Sequence, residues 1–292
     1  MARLADRHPG NIDGRWYVDT RCIDCDVARH HAPTLISALA DGQSVVARQP
    51  TTPGEELEMW RAAVACPTKS IGTTDRAQPP ADVFPWELTA GVFLLGHNDR
   101  RSFGAHAWYV PRDGGGFMVD APHWSAELVA AMEARGGVTG VLLTHRDDIA
   151  DAERYAAHFG ARVWIHADDR EVVPFATDEI TGTEPIELRD GVVVFPVPGH
   201  TRGSVLYVVD DEHLFSGDSL AWSWRRNDLV AWEDVAWYSW SEQLRSLRRF
   251  AQSERRFSWV LPGHGKWHGA SSDEMHQRLT ALLDRLEMSQ AS

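Results

Sequence analysis

Apolar residues in this chain fall in short blocks. Runs at 91–95, 107–110, 117–120, 140–143, 162–165, 192–197, 205–209 and 258–261 are rich in Val, Leu, Phe or Trp and predict strands. The segments 125–135, 149–159, 241–255 and 272–288 instead carry helical patterns. Strands in blocks with helices outside them predict a layered α/β architecture with sheets at its centre.

Residues 16–72 follow a different rhythm. Trp16-Tyr17-Val18-Asp19 predicts a strand, 32–40 a helix, Asp41-Gly42 a turn and 44–48 another strand. From Glu55 to Cys66, Leu57, Trp60, Ala63 and Val64 suit an amphipathic helix that Pro67 stops. The predicted order is strand, helix, strand, strand, helix, strand. Residues 73–84 hold the Pro79-Pro80 pair and little periodicity, which predicts a linker. Two domains follow, over 1–75 and 85–292.

Composition is consistent with that organisation. A chain of 292 residues with 43% hydrophobic content can bury a sizeable core and fill two domains. The formal net charge of -13 opposes docking on phosphate backbones or anionic lipid, so neither nucleic acid nor membrane is an expected partner. Residues 1–80 carry 9 Lys+Arg against 10 Asp+Glu, and the remaining 20 against 32 place the acidity in the C-terminal part. The first ten residues lack the apolar core of an export signal, and no stretch approaches a membrane span of about 20 apolar residues. The expected compartment is the cytoplasm.

The three cysteines, Cys22, Cys25 and Cys66, are odd in number and confined to the first quarter, which is not a disulfide framework. Cys22-Ile23-Asp24-Cys25, followed at a distance by Ala65-Cys66-Pro67-Thr68-Lys69, resembles a single-cluster bacterial ferredoxin domain over about 55 residues. That resemblance implies ligands in the order Cys-x-x-(Cys or Asp)-x-x-Cys and then a distant Cys-Pro. Cys22, Cys25 and Cys66 match the first, second and last positions, and Ala28 stands at the third. It implies a three-iron cluster on three thiolates, a cluster completed by Asp26 or His30, or a ferredoxin-shaped domain without its cluster. A cluster would bring a redox partner with it.

Further along, four strand ends carry metal-ligating residue types. His145 follows Gly140-Val141-Leu142-Leu143-Thr144, His200 follows the 192–197 run through Pro198-Gly199, Asp218 follows His213-Leu214-Phe215-Ser216-Gly217, and His264 follows Trp259-Val260-Leu261-Pro262-Gly263. Imidazoles and a carboxylate suit zinc, iron or manganese, and such an ion acidifies a bound water. Glycine beside His200, Asp218 and His264 lets the backbone turn sharply near an ion. His8, His97, His123, His158 and His268 read as ordinary hydrogen-bonded or surface side chains, and His166 as a weaker candidate at another strand end.

Gly199-His200-Thr201, Ser216-Gly217-Asp218 and Pro262-Gly263-His264-Gly265, in that order, resemble the metallo-β-lactamase superfamily from about residue 88 onward, as does Phe117-Met118-Val119-Asp120. The resemblance implies an αββα sandwich, preceded here by a small α+β ferredoxin-like domain, with one or two divalent metals between two sheets. The first metal motif of the family, His-x-His-x-Asp-His, is altered: Thr144-His145-Arg146-Asp147-Asp148 retains one histidine. The alignment makes Asp147 the second-metal carboxylate and puts Asp148 in place of a histidine. One ion is then expected on His145, His200 and Asp218, and a second on Asp147, Asp218 and His264 with Asp148. Zinc is the expected metal and iron the alternative, with Asp147 or Asp148 positioning a water or carrying its proton. Helix capping on 149–159 is the competing role for this acidic pair.

Trp222, Trp224, Trp232, Trp237 and Trp240 fall within nineteen residues after Asp218, and Trp222, Trp224 and Trp237 are candidates to line a pocket for an apolar or aromatic small molecule. Arg202 is a candidate to orient an anionic substrate. The expected activity is hydrolysis of an ester, thioester, lactone or related acyl bond. A non-haem iron oxygenase fed by the ferredoxin-like domain is the alternative, as is a non-catalytic binding protein.

Overall fold

The computed structural model describes residues 2–188 and 191–290. The chain divides into two compact units, Met1–Thr139 with Ala150–Phe159, and Gly140–Ile149 with Gly160–Ser292. Among the described residues, no helix is long and apolar enough to cross a membrane.

The first unit opens with β1 (Trp16–Val18), α1 (Val27–His31), β2 (Ile36–Ala38), β3 (Ser44–Val46), α2 (Pro53–Ala65) and β4 (Ile71–Thr73). β1 pairs antiparallel with β4, and β2 with β3 across the turn at Ala40-Asp41. The order of elements matches the expectation, but the first helix does not: it covers 27–31, and 36–38 of the expected 32–40 helix is strand. Pro33 is the cause, because the residue before a proline is pushed out of the helical region. Ala32 accordingly takes φ -129° and ends α1, freeing Leu35 and Ile36 to enter the core through the hairpin.

α2 starts where its sequence directs. The Thr52 hydroxyl accepts the Glu55 N–H at 3.2 Å, Pro53 occupies the first turn, and Glu55 and Glu56 lie against the positive end of the helix. Its buried face presents Trp60 edge-on to Trp16, with ring centroids 4.6 Å apart, while the Trp16 indole N–H donates to Glu56.

An antiparallel run follows in the same unit, β5 (Trp86–Thr89), β6 (Val92–Leu94), β7 (Trp108–Val110) and β8 (Gly116–Val119), each strand paired with the next. Helices α3 (Ala126–Glu133) and α4 (Ala152–Phe159) also belong to this unit. α4 begins three residues later than expected, with its first-turn N–H groups donating to the Asp151 carbonyl. Asp147 and Asp148 therefore do not cap it.

β9 (Val138–Leu142) enters the second unit at Gly140, where it runs parallel with β10 (Arg162–His166) and β11 (Asp178–Ile180) in the order β9-β10-β11. The unit's larger sheet comprises β12 (Ile186–Glu187), β13 (Val192–Pro196), β14 (Val205–Val209) and β15 (His213–Gly217), then, after an excursion through the hairpin β16 (Ala221–Ser223) and β17 (Asp228–Val230), β18 (Trp259–Pro262) and β19 (His268–Gly269). α5 (Trp240–Gln252) precedes β18 and β19, and α6 (Ser272–Gln290) closes the described chain. β13, β14 and β15 are buried at every position, which explains the unbroken apolar runs of β13 and β14.

α5 is fixed at its start by Ser239, whose hydroxyl accepts the Glu242 N–H. Its stripe of Trp240, Leu244, Leu247 and Phe250 joins Met275, Leu279 and Leu283 of α6 in one core with Val193, Leu206, Leu214 and Val260 of the sheet. That core anchors β13, β15 and β18. The loops leaving them carry the side chains described next.

Candidate metal centre

Beyond β9 the chain remains tied to β10, with the Leu143 N–H donating to Trp164 O, and then turns to present His145. Gly217, at the end of β15, lies against this turn: a β-carbon there would fall 2.6 Å from the Thr144 hydroxyl, and its φ of +47° suits glycine. Gly263, after β18, has no room either, since a β-carbon would meet Asp148 Oδ2 at 2.6 Å and Asp218 Oδ1 at 2.9 Å.

These close approaches bring five site residues together. His145 Nε2 lies 3.7 Å from Asp148 Oδ2 and 3.7 Å from Asp218 Oδ2, and His200 Nε2 lies 3.5 Å from Asp218 Oδ2. Two sets of potential ligand atoms, each within 4.8 Å, share Asp218: His145, His200 and Asp218, and Asp148, Asp218 and His264. Asp147 stands at the edge, 38% exposed, with Oδ2 at 3.4 Å from His200 Nε2. Sequence alignment assigns Asp147 to the second set, but the structure places Asp148 there and turns Asp147 toward His200.

Several interactions fix the imidazoles. The Thr144 hydroxyl lies 2.9 Å from His145 Nδ1, and His200 Nδ1–H donates to the Val235 carbonyl at 2.5 Å, leaving the His200 Nε2 lone pair directed at the carboxylates. Asp169, also buried, holds the two loops in register: it accepts from the Arg146 N–H, the Thr201 hydroxyl and the Gly203 N–H. Thr144, Val235 and Asp169 are site residues that sequence reasoning missed. For Asp169 the one signal was an acidic pair placed just after a strand end.

The donor set suits a divalent ion. Four ligands held tetrahedrally at about 2.0–2.1 Å stand roughly 3.4 Å apart, close to the spacings here. His145 Nε2 and His200 Nε2 are buried and make no hydrogen bond among the described residues. Burial pushes the His145 imidazole down to about 4, so it is neutral, with its lone pair free, at neutral pH. Burial opposes ionisation of Asp218, but His264, His145 and His200 outweigh it and hold the carboxyl well below its ordinary range. Burial also lowers the His200 pKa, yet Asp147 and Asp218 together raise it.

The other candidates separate. Trp222 is 3% exposed, lies in the core and stacks on His268 at 3.6 Å, so it does not line a pocket as expected; β16 turns it inward. Trp224 is partly exposed beneath Arg225. Trp237 lies against His200, with ring centroids 4.5 Å apart, and is 64% exposed. Arg202 is exposed and faces Asp168 at 3.5 Å. His166 caps a short helical turn, its Nδ1 accepting the Asp168 N–H and its Nε2 3.0 Å from Gly182 O. In the first unit, Cys22, Cys25 and Cys66 are free thiols lining one small cavity with Ala28, and Asp26 is engaged by Arg29 and His30.

Comparison with known proteins agrees with this anatomy. Residues 18–73 match the 4Fe-4S single cluster domain of Ferredoxin I. A hydroxyacylglutathione hydrolase of Acidiphilium cryptum is 38% identical over 119 residues, 39% of this chain and 49% of the relative. The chain thus spans about half the length of the curated relatives it matches. Among solved structures, a metallo-β-lactamase from Erythrobacter litoralis superposes with a TM-score of 0.52 at 17% identity over 68% of this chain and 91% of that one. The DIM-1 metallo-β-lactamase gives 0.50 at 20% identity over 68% and 95%. The fold is the metallo-β-lactamase αββα sandwich.

Proposed function

We propose that this chain is a divalent-metal-dependent hydrolase of a thioester or related acyl bond, with a ferredoxin-like domain over 1–75 and the hydrolase domain over 85–292. The supporting observation is the convergence of His145, His200 and Asp218, buried, with ring nitrogens 3.5–3.7 Å from one carboxylate oxygen. The name hydroxyacylglutathione hydrolase carried by curated relatives supports the thioester class. His145, His200 and Asp218 are assigned to one ion, and Asp148, Asp218 and His264 to a second. Zinc suits nitrogen and oxygen donors at this spacing, and such an ion acidifies a water and polarises a carbonyl oxygen.

The chain's own residues supply the remainder. Val235 and Thr144 orient the imidazoles. Burial works against ionised Asp147, but His200 and His145 hold its carboxyl below the ordinary range, so at neutral pH it is a base at the solvent edge that accepts the proton of the attacking water. Trp237 offers an aromatic wall beside His200 for the apolar part of a small-molecule substrate.

The test is turnover of a thioester and acyl-ester panel by protein loaded with zinc, manganese or iron. Metal-dependent hydrolysis that disappears in His200→Ala and Asp218→Ala supports the reading, and no hydrolysis with any metal overturns it. Two histidines and one carboxylate also form the donor set that binds non-haem iron, which favours an oxidative chemistry as the second reading. Oxygen uptake by iron-loaded protein separates the two.

A further inference from the structure

The first unit contains a cavity of about 770 Å³, none of whose lining residues is assigned to the metal centre. Its size falls within the roughly 300–1,000 Å³ typical of small-molecule sites. Tyr17 of β1, Trp60 of α2 and Ile71 of β4 give it an aromatic and apolar floor, and beside Arg3 and Gln78 its nitrogen donors are Lys69, Arg76 and His97. These last three share an uncommon backbone: φ is +53° at Lys69, +56° at Arg76 and +49° at His97, the left-handed region that disfavours side chains.

Lys69 is the most informative of them. No hydrogen bond or ion pair holds its ammonium among the described residues. Its side chain is half-buried. A cation partly removed from water without a partner is unfavourable until an anion joins it. The acids that line the cavity do not fill that role: Asp6 faces Arg3 at 3.7 Å, and Glu127 is exposed.

We propose that this cavity binds a small organic anion, its carboxylate, sulfonate or phosphate on Lys69 and Arg76 and its apolar or aromatic body against Trp60 and Tyr17. Lys69 lies three residues past Cys66 and donates its peptide N–H to the Cys66 carbonyl at 3.0 Å, so the bound anion rests on the loop that carries this cysteine.

Calorimetric titration of the full chain tests the site with 8-anilinonaphthalene-1-sulfonate and with N-phenyl-1-naphthylamine, its neutral counterpart. The sulfonate is expected to saturate one site per chain, to bind about tenfold more weakly to Lys69→Met and to recover in Lys69→Arg. The neutral amine should be indifferent to both changes. Ala63→Trp, which places an indole in the cavity, should abolish binding of both probes. No saturable binding by the native chain, unchanged affinity in Lys69→Met, an equal loss for both probes, or unchanged binding in Ala63→Trp would each overturn the proposal.

Discussion

Asp218 accepts two hydrogen bonds from His264 on one oxygen, from the ring Nδ1–H at 2.8 Å and from the peptide N–H at 3.1 Å. Its other oxygen faces His145 and His200. One carboxylate thus belongs to both candidate ion sites, and His264 sets its orientation. Asp218→Asn should eliminate tight metal binding altogether. His264→Ala should weaken metal affinity roughly 10- to 100-fold, as expected when a group orienting a ligand is lost. Metal content after dialysis against graded chelator measures both, and equal retention in the two variants contradicts the shared role of Asp218.

Gly263 gives a second expectation, because a β-carbon there would press on Asp148 and Asp218 together. Gly263→Ala should lose metal and turnover while costing only about 1–3 kcal/mol of stability, the usual range for overpacking. Thermal unfolding of the metal-free forms separates these effects. Full metal content in the variant would show that the carboxylates have room the geometry denies them.

The sequence revealed most of what strand ends and glycines announce. His145, His200, Asp218 and His264 were legible because each follows an apolar run, three of them beside a glycine that the close packing requires. The helix at 27–31 is hard to place from sequence because a five-residue helix has little periodicity to read, and its end is set by Pro33 rather than by pattern. Asp148 stays in the second set and Asp147 turns toward His200, because an alignment fixes order along the chain, not the direction of adjacent side chains in a turn. Val235 was invisible for a different reason: its contribution is a backbone carbonyl, identical in every residue, supplied 35 positions from His200. Trp222 looked like its neighbours in composition, and only the β16 register decided that it faces inward.

Trp237 carries the third prediction. Its indole is 64% exposed beside the His200 ring, which leaves it accessible to a substrate. Trp237→Ala should raise KM about fivefold for substrates with apolar groups, corresponding to the roughly 1 kcal/mol of an aromatic contact, and leave kcat within about twofold. A fall in kcat at constant KM would move Trp237 from substrate binding to support of His200.

His97 makes stability depend on pH. Burial, with Lys69 and His123 adding positive charge nearby, pushes its imidazole down to about 4 from 6.5. The folded state therefore binds its proton less readily than the unfolded chain. The sign follows: this contribution is complete above pH 6.5 and is lost progressively as pH falls toward 4. Urea unfolding at a series of pH values should show a steeper decline across that window for the native chain than for His97→Gln. Parallel curves for the two proteins would remove His97 as the source.

Ala28 supplies the last prediction. It lines the same small cavity as Cys22, Cys25 and Cys66, where the third thiolate of a four-cysteine set would stand. Asp26 lines that cavity too, with its carboxylate already bound to Arg29 and 3.3 Å from His30 Nε2. Burial pushes the Cys25 thiol up to about 12, so its thiolate forms only against a positive centre such as iron. Anaerobic reconstitution should therefore give a three-iron cluster, paramagnetic when oxidised, and Ala28→Cys should convert it to a four-iron cluster that is silent in the same oxidised spectrum. Iron and sulfide analysis with electron paramagnetic resonance reads the change directly. Uptake of neither element by either protein would leave the three cysteines as packing residues of a ferredoxin-shaped domain.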